Sequence, residues 1–569
     1  MFNNILYCLI FGTAVVVGGI AVAKYMARVL LDRPDTQDNN RWFFSWFVRI
    51  EKGVYRIAGI DASQEMDWKT YALALLVFNG LGLVFLFFLQ LVQGMLPLNP
   101  GHLGAVRWDT ALNTAISFVT NTNWQSYRGE TTMSYLTQML GLTVQNFLSA
   151  ATGIAALLAL GRGFIRKNTK FVGNFWVDLT RVVLYVLVPF SIVMSVLLAS
   201  QGVVQTLGSP VIAETIEGVK QTIAVGPAAS QVAIKQLGSN GGGFFNANSA
   251  HPLENPNLIS NFFETFAILW LPVACVFLFG YMVKDQKQGQ AIFTLMAVMF
   301  AVGLAIVLLA EYQGNPFLGH SGVSHGSSME GKEMRFGTLH SVLWGMATTV
   351  TSNGSVNCMH DSANPLTGLV YMFNMGIGEV IFGGVGVGLI GMIFYIFLSM
   401  FIAGLMIGRT PEYLGKKLGP FEMVMAAIAT LGSMIVLLVI TGIALMTRAG
   451  LAGLYNTGSH GLSEILYAAS SVCGNNGSAF AGLSANTPFY NILLGFGMLI
   501  CRFTTILPAL AVAGSLANKK TVPVTPATFP TTGLLFIVMV IAVIVIVGAL
   551  TFFPFYSIGP VLEHFLMYH

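Results

Sequence analysis

The chain has 569 residues, of which 55% are hydrophobic and only 9% are charged. Soluble proteins carry about 25% charged residues, so this composition excludes a soluble enzyme, a nucleic-acid-binding protein and a disordered chain. The net charge is only +4, and the five cysteines contain no CxxC pair, so the sequence predicts a protein that crosses a membrane many times and has no disulfide framework.

Ten apolar stretches are long enough to cross a bilayer, because a membrane helix needs about 20 apolar residues. The predicted spans cover 5–29, 70–96, 133–160, 177–200, 262–283, 291–310, 371–407, 422–447, 489–516 and 531–554. No basic residue precedes the first stretch, and its apolar run is too long for a cleaved signal peptide. We therefore expect it to stay in the membrane.

The Lys and Arg residues lie mainly in alternate loops. Nineteen of them fall in one set of loops and seven in the opposite set. Basic loops are retained in the cytoplasm. This distribution predicts that both termini are external and that the long loops rich in Gly, Asn and Ser are external too.

Four of these external loops contain a short apolar run that ends in a small, polar tetrad. The runs begin at Asp109, Ser230, Thr338 and Ser463, which we predict to be helix N-caps. The tetrads are Thr120-Asn121-Thr122-Asn123, Gly238-Ser239-Asn240-Gly241, Thr351-Ser352-Asn353-Gly354 and Cys473-Gly474-Asn475-Asn476. Their starts are 118, 113 and 122 residues apart, and a nearly constant period indicates internal repeats.

The apolar runs are too short to cross the membrane, so each must dip into it and return. Such a segment is tolerated only inside protein or beside water. One loop of this kind is ordinary, but four at one spacing favour a shared pore. We therefore predict an all-α polytopic membrane protein with ten transmembrane helices and four span–pore-loop–span repeats around a pseudo-fourfold pore. The repeats would cover 70–175, 176–290, 291–421 and 422–530, with extra spans in 1–69 and 531–569.

The chemistry of the tetrads favours a monovalent cation. Four pore helices would aim their C-termini, each worth about −0.5 charge, at one point. The tetrads themselves are neutral, whereas a ring of carboxylates would suit divalent cations. Backbone carbonyls suit a large, weakly hydrated ion, and this chemistry leaves potassium, rubidium and ammonium open.

The tetrads and their flanks resemble a known family over essentially the whole chain. The motifs are TNTNWQS at 120–126, GSNGGGFFNANSAHPLENP at 238–256, TSNGSVNCMHDSANP at 351–365 and CGNNGSAFAGLSANTPFYN at 473–491. They are similar to those of the potassium-translocating A subunit of bacterial Kdp-type potassium-transporting P-type ATPases. The resemblance implies the fold of the potassium transporter superfamily and a multi-pass position in the bacterial plasma membrane.

The resemblance also implies a function and a set of partners. The chain would select external K⁺, bind no other cofactor, and pass the ion to a P-type ATPase catalytic subunit. A small single-span subunit and a short accessory membrane peptide would complete the complex. By the same resemblance, Asn121, Ser239, Ser352 and Cys473 would be main-chain filter positions. Gly241 and Gln125 would affect ion affinity or selectivity.

The chain lacks the means to hydrolyse ATP by itself. It has neither a DKTG phosphorylation motif nor a GxxxxGK[ST] phosphate loop. Two alternatives stay open, a self-sufficient Trk/Ktr-type potassium transporter and an ion-coupled solute carrier. A solute carrier should show matched halves, which the fourfold period disfavours. A Trk/Ktr-type protein is expected to have Gly in every filter, and the first tetrad has none.

Three features near the predicted filter are candidates for gating. Seven glycines between 376 and 391 predict a broken helix, although close helix packing is an alternative. Glu379 lies in this stretch, and an intramembrane carboxylate is either functional or part of a structural ion pair. Arg502 lies in the middle of a span. It is either a positive barrier below the filter or the partner of Glu379 in a salt bridge.

Overall fold

The computed structural model describes residues 2–31, 42–316, 322, 326–523 and 529–568. Ten helices in this part of the chain are long and apolar enough to cross a membrane, which confirms the predicted number. They are Asn4–Leu31, Trp68–Met95, Thr137–Ile165, Phe175–Ser200, Leu258–Met282, Gln286–Gln313, Val387–Met406, Pro420–Met446, Pro488–Asn518 and Leu534–Leu566. We call them spans one to ten.

Four shorter helices, here called the pore helices, lie between spans two and three, four and five, six and seven, and eight and nine. They are Trp108–Val119, Ala228–Leu237, Gly337–Val350 and Gly458–Gly474. Each ends at one of the four tetrads, as the sequence predicted. Their side chains are almost all buried, so they are shielded from lipid as a re-entrant segment requires.

The predicted N-caps of the pore helices are wrong. The helices begin earlier, and the residues at their N-cap positions are Arg107, Pro227, Phe336 and Thr457, none of which makes a side-chain capping bond. Asp109 instead lies in the first turn. There it pairs with Arg107 at 2.5 Å and accepts a hydrogen bond of 2.9 Å from the Asn491 amide. Asp109 is thus held by hydrogen bonds to residues outside the helix and does not cap it.

The predicted seventh span is a broken helix. The segment forms one helix at Pro365–Gly376 and a second at Val387–Ile407. The intervening backbone turns sharply, because Glu379 and Phe382 have φ values of 50° and 52° in the left-handed region. The two helices are therefore joined by a non-helical linker, residues 377–386, as the glycine-rich sequence predicted.

The spans differ in how deeply they are buried. Span three is 83% buried and span five 78%, whereas spans one, two and ten are 22–28% buried. Small residues allow the central spans to approach closely. A Cβ at Gly163 in span three would lie 2.8 Å from the Cα of Ala513 in span nine. The central spans therefore form a rigid frame around the pore helices.

The remaining elements are short. Within the described ranges, the other helices of four residues or more are Trp42–Ala58, Gly129–Thr132 and Arg448–Leu451, and single turns lie at Asn248–Ala250 and His360–Ser362. Three antiparallel strand pairs join Met66–Asp67 to Phe171–Gly173, Val211–Glu214 to Lys220–Ile223, and Glu412–Tyr413 to Lys416–Lys417.

One buried carboxylate anchors the helix Trp42–Ala58 to span four. Glu51 accepts hydrogen bonds from Arg181 at 2.8 Å, from Tyr185 at 2.6 Å and from Tyr55 at 2.7 Å. Burial alone would raise the pKa of Glu51. The hydrogen bonds from Tyr185, Arg181 and Tyr55 together outweigh burial and lower it below its usual value.

Candidate ion-binding site

The four tetrads share one backbone conformation. Two alternate residues have positive φ in each loop: Asn121 and Asn123, Ser239 and Gly241, Ser352 and Gly354, and, in the fourth loop, Asn475 and Gly477, the residue after the predicted tetrad. The residues between them do not have positive φ, so the sign of φ alternates along each loop. This alternation turns successive peptide units to the same side.

Hydrogen bonds fix the direction of those peptide units. The N–H groups of Thr122 and Asn123 both donate to the carbonyl of Ser117, at 2.9 and 3.2 Å. In the second repeat, Asn240 and Gly241 donate to Lys235 at 2.9 and 3.0 Å. In a trans peptide the N–H and the preceding C=O point in opposite directions. The carbonyls of Asn121, Thr122, Ser239 and Asn240 therefore face away from their own pore helix.

The backbone hydrogen bond made by the third residue of each tetrad shows that the fourth tetrad begins one residue later than predicted. Asn353 donates its N–H to Thr348 at 3.2 Å, and Asn476 donates to Ser471 at 2.8 Å. Asn476 is therefore equivalent to Asn353, and the fourth tetrad runs from Gly474 to Gly477. Cys473 belongs to the last turn of the pore helix. The sequence reasoning started this tetrad too early because Cys473 is itself small, and it missed Gly477.

Close contacts join the four loops in sequence around a ring. A Cβ on the fourth residue of a loop would overlap a carbonyl oxygen of the next loop. The three contacts are Gly241 with Asn353 at 1.7 Å, Gly354 with Asn476 at 2.0 Å, and Gly477 with Thr122 at 2.0 Å. Only glycine fits these positions, since each also has positive φ.

The first and second loops complete the ring through side chains. Asn123 occupies the position held by glycine in the other loops, and its Nδ2 donates to the carbonyl of Gly241 at 3.0 Å. The Nδ2 of Asn121 donates to the carbonyl of Ser239 at 2.7 Å. Every loop therefore contacts the next, and the fourth returns to the first.

Asparagine amides hold the loops from behind. Asn353 donates to the Lys235 carbonyl at 3.1 Å, and Asn476 donates to the Thr348 carbonyl at 2.8 Å. These are the same carbonyls that accept from the loop backbones. The third and fourth loops are thus each tied to the pore helix of the repeat before them, which fixes the spacing between these neighbouring loops.

A buried lysine of the second pore helix belongs to this support. Lys235 is one of the seven basic residues in the loops predicted to be external, and its side chain is fully buried. Its Nζ lies 2.5 Å from Glu254 and also donates to Asn248 and Ser249, each at 3.0 Å. Its charge is therefore neutralised locally. A lysine in an otherwise apolar run was the signal that could have identified it.

A cavity of about 660 Å³ lies on one side of the ring, and we call it the outer cavity because it is on the side predicted to be external. All four repeats contribute to its wall, through Asn123, Gly242, Gly354 and Gly477. Among its described lining residues there is no carboxylate. The wall also contains Arg107, which is paired with Asp109, and Arg128. An arriving cation would therefore meet amide and carbonyl groups and two arginines, but no fixed negative charge in the described wall.

Gln125 lies at this outer cavity and holds the second loop. Its Oε1 accepts from the N–H of Gly243 at 2.7 Å, and its Nε2 donates to the carbonyl of Gly243 at 3.0 Å. One side-chain amide thus binds both polar groups of one residue. The structure places Gln125 as a support for the loop that contains Gly241, next to the ring rather than in it.

A smaller cavity of about 50 Å³ lies on the other side of the ring. Its wall includes Ser352 and Asn475 from the tetrads, Gly378 and Gly388 at the two ends of the break in the helix, and Arg502. The inner end of the ring, the linker 377–386 and the mid-span arginine therefore meet in one space.

Glu379 and Arg502 do not form the predicted salt bridge. Glu379 is fully buried and accepts a hydrogen bond of 2.7 Å from the Nδ2 of Asn476 in the fourth tetrad. Arg502 donates to the backbone carbonyl of Ser149 at 3.2 Å, and no carboxylate in the described chain pairs with it. The ion-pair alternative is therefore wrong, and Arg502 presents an uncompensated charge at the inner cavity.

Comparison with known proteins gives a consistent result. The model of the family described as "Potassium-transporting ATPase A subunit" matches residues 9–565. The chain is 52% identical over 581 residues to a protein of Herpetosiphon aurantiacus named "Potassium-transporting ATPase potassium-binding subunit", with 99% of each chain covered. It is 54% identical over 514 residues to the protein of that name from Pseudomonas aeruginosa, covering 90% of this chain and 91% of the other.

One solved structure has a similar fold. The crystal structure of the potassium transporter TrkH from Vibrio parahaemolyticus matches with a TM-score of 0.50 and 14% sequence identity. The match covers 89% of this chain and 96% of that one. At this identity the likeness concerns the fold alone, and it confirms the predicted architecture of the potassium transporter superfamily.

Proposed function

The chain belongs to the potassium-transporting ATPase A subunit family, and from this premise we propose how it takes part in potassium import. It is the potassium-binding, channel-like subunit of an ATP-driven importer. The ring of four tetrads selects external K⁺, and the ion then passes to a P-type ATPase subunit, which hydrolyses ATP. The observation that carries this proposal is the closed ring of neutral loops.

The ring suits K⁺ because its groups are neutral and fixed in place. Filters of this kind replace the hydration shell of K⁺ with carbonyl oxygens. The filter residues we propose are Thr120, Asn121, Thr122 and Asn123, Gly238 to Gly241, Thr351 to Gly354, and Gly474 to Gly477. Four pore-helix C-termini end beside them, and each adds about −0.5 charge near the ion. No other cofactor is needed for this role.

Arg502 and the linker 377–386 control movement beyond the filter. A cation about 6 Å from Arg502 at an effective dielectric constant of about 20 is repelled by roughly 2.8 kcal/mol, which lowers occupancy about a hundredfold. Passive outflow through the inner cavity is therefore slow. A subunit that feeds a pump needs such a barrier, whereas an open channel does not. Glu379 fixes the inner end of the fourth loop through Asn476.

The assembly and topology follow from the same proposal. Four repeats at 70–175, 176–290, 291–421 and 422–530 form the pore, and the outer spans in 1–69 and 531–569 flank it. Both termini are external, and the membrane is the bacterial plasma membrane. The partners are the catalytic ATPase subunit, a small single-span subunit and a short accessory membrane peptide. The chain itself hydrolyses no ATP.

Purification of the complex tests the proposal. The tagged chain is expressed together with the P-type ATPase catalytic subunit of the same organism, solubilised in mild detergent and purified through the tag. We expect the ATPase to co-purify and its activity to depend on K⁺. A chain that purifies alone and transports K⁺ in liposomes without ATP would instead be a self-sufficient Trk/Ktr-type transporter. Reporter fusions at 50, 165 and 415 should be cytoplasmic and one at 217 external.

A further inference from the structure

A second cluster of ionisable side chains lies away from the filter. Asp361 belongs to the turn that follows the third tetrad. His460 and Glu464 lie on successive turns at the start of the fourth pore helix. Glu563 belongs to the helix Leu562–Leu566 near the end of the chain. Three separate parts of the sequence thus meet at one point.

One atom from each of three side chains can reach a common centre. A ring nitrogen of His460 and one carboxylate oxygen each from Asp361 and Glu464 all lie within 4.8 Å of one another. The Nε2 of His460 is 3.1 Å from Asp361, and its Nδ1 is 2.7 Å from Glu563. Small side-chain rotations would bring the three donors to the distance of about 2.0–2.2 Å that a bound zinc ion requires.

One carboxylate oxygen of Glu464 lacks a hydrogen-bond partner. It is fully buried. Its Oε1 accepts from the Asn456 amide at 2.8 Å, but its Oε2 has no hydrogen-bond partner. Leaving a buried carboxylate oxygen unpaired is unfavourable, so this oxygen is free to bind a ligand.

The backbone opposite leaves room for these carboxylates. A Cβ at Gly482 would lie 2.2 Å from the Oε1 of Glu464 and 2.8 Å from the Oδ2 of Asp361. The N–H of Gly482 also donates to the Oδ2 of Asp361 at 3.1 Å. Any larger residue would push the two carboxylates away, so the glycine preserves their convergence.

We propose that Asp361, His460 and Glu464 bind one divalent transition-metal ion, with Zn²⁺ as the preferred ion. His460 binds through Nε2, and its Nδ1–H donates to Glu563. This carboxylate–histidine–metal arrangement is the usual way in which a ligating histidine is oriented. Two carboxylates and one imidazole match the ligands of zinc, whereas Ca²⁺ and K⁺ prefer oxygen ligands alone.

The site is open to solvent on one side. Asp361, His460, Gly482 and Glu563 line a cavity of about 820 Å³, which gives the ion a path of entry. Water from this cavity completes the coordination. The bound ion would fasten the turn after the third tetrad to the fourth pore helix, and Glu563 would extend this link to the C-terminal helix. The site therefore acts on the assembly of the outer surface rather than on K⁺ selection.

Metal analysis of the purified complex tests this site. The complex is treated with a chelator, incubated with Zn²⁺ alone, freed of excess ion, and analysed for zinc per chain. We expect one tightly bound zinc in the unaltered protein and none in Glu464→Gln or His460→Gln. Co²⁺ in place of Zn²⁺ should give the absorption of a cobalt ion bound to protein, and this signal should vanish in the same variants.

Two further variants keep the test decisive. Glu563→Gln leaves all three ligands in place and should weaken zinc binding 10–100-fold. His564→Gln alters the neighbouring histidine of the same helix, which is outside the cluster, and should bind zinc as the unaltered protein does. Zinc retention that is the same in the unaltered protein, Glu464→Gln and Glu563→Gln would overturn the proposal. A cluster held together by a shared proton alone would give that result.

Discussion

Replacing Gly241 with alanine is the most direct test of the ring. The new Cβ would lie 1.7 Å from the carbonyl oxygen of Asn353 and 2.5 Å from the N–H nitrogen of Ser355. Ordinary contacts begin at 3.4 Å, so the separation from Asn353 must double. Both neighbours are backbone atoms of the third loop. The substitution therefore moves the loops apart instead of displacing a flexible side chain.

The size of the effect can be worked out from the backbone. Gly241 has a φ of 66°, and an L-residue in the left-handed region costs about 1–2 kcal/mol before any clash is counted. If this cost falls on the conformation that binds the ion, K⁺ affinity decreases about 5–30-fold. The clash adds to it. Since carbonyl spacing sets selectivity in the snug-fit view, discrimination against Rb⁺ and NH₄⁺ should also narrow.

The assay is K⁺-, Rb⁺- and NH₄⁺-dependent ATPase activity of the purified complex, titrated for each ion. Gly218→Ala is the matched control, because Gly218 also has positive φ, at 78°, but nothing lies within 4 Å of its Cβ position. It should leave every titration unchanged. Gly354→Ala and Gly477→Ala meet the next loop in the same way and should behave like Gly241→Ala. A well-assembled Gly241→Ala complex with unaltered affinity and ion preference would refute the ring as the filter.

Three other substitutions examine residues outside the ring. Arg502→Met should assemble normally but import K⁺ poorly or uncouple ATP hydrolysis from transport, whereas Arg502→Lys should retain more activity; equal transport by both variants would contradict the barrier. Gln125→Leu removes two hydrogen bonds to Gly243, each worth about 1 kcal/mol, and should lower K⁺ affinity in the same titrations, so an unchanged midpoint would exclude its supporting role. Glu51 has a lowered pKa, so its contribution to stability is present above about pH 4.5 and is lost as the pH falls through its folded-state pKa. Glu51→Gln should therefore flatten the loss of thermal stability on acidification, and an identical pH profile of unfolding would argue against the Arg181 contact.

The sequence predicted the features that local composition determines. The lengths of the apolar stretches predicted ten spans, because whether a helix is stable in lipid depends mainly on the hydrophobicity of its own residues. The glycines between 376 and 391 predicted a break, and the helix stops at Gly376 and resumes at Val387. The four tetrads also lie at the ends of their pore helices, since small polar residues stop an apolar helix wherever it is placed.

The sequence could not predict features that depend on tertiary contacts. The fourth pore helix extends through Cys473 because Asn475 adopts the left-handed cap conformation, with φ of 56°. Nothing in the local sequence showed that this helix ends at Gly474 rather than one residue earlier. The hydrogen-bond partner of Glu379 could not be predicted from the sequence either. Only the folded structure shows that the Asn476 amide, and not Arg502, meets its carboxylate.

The contact between Gly477 and Thr122 has a consequence for how the protein is made. These residues touch across the ring although they are 355 positions apart in the chain. A ribosome adding about 5–20 residues per second needs roughly 20–70 s to travel from one to the other. During that interval the first three loops are inserted without the fourth side of their ring. A nascent chain that stalls before the last pore helix can therefore hold a nearly complete set of membrane helices and still bind no ion.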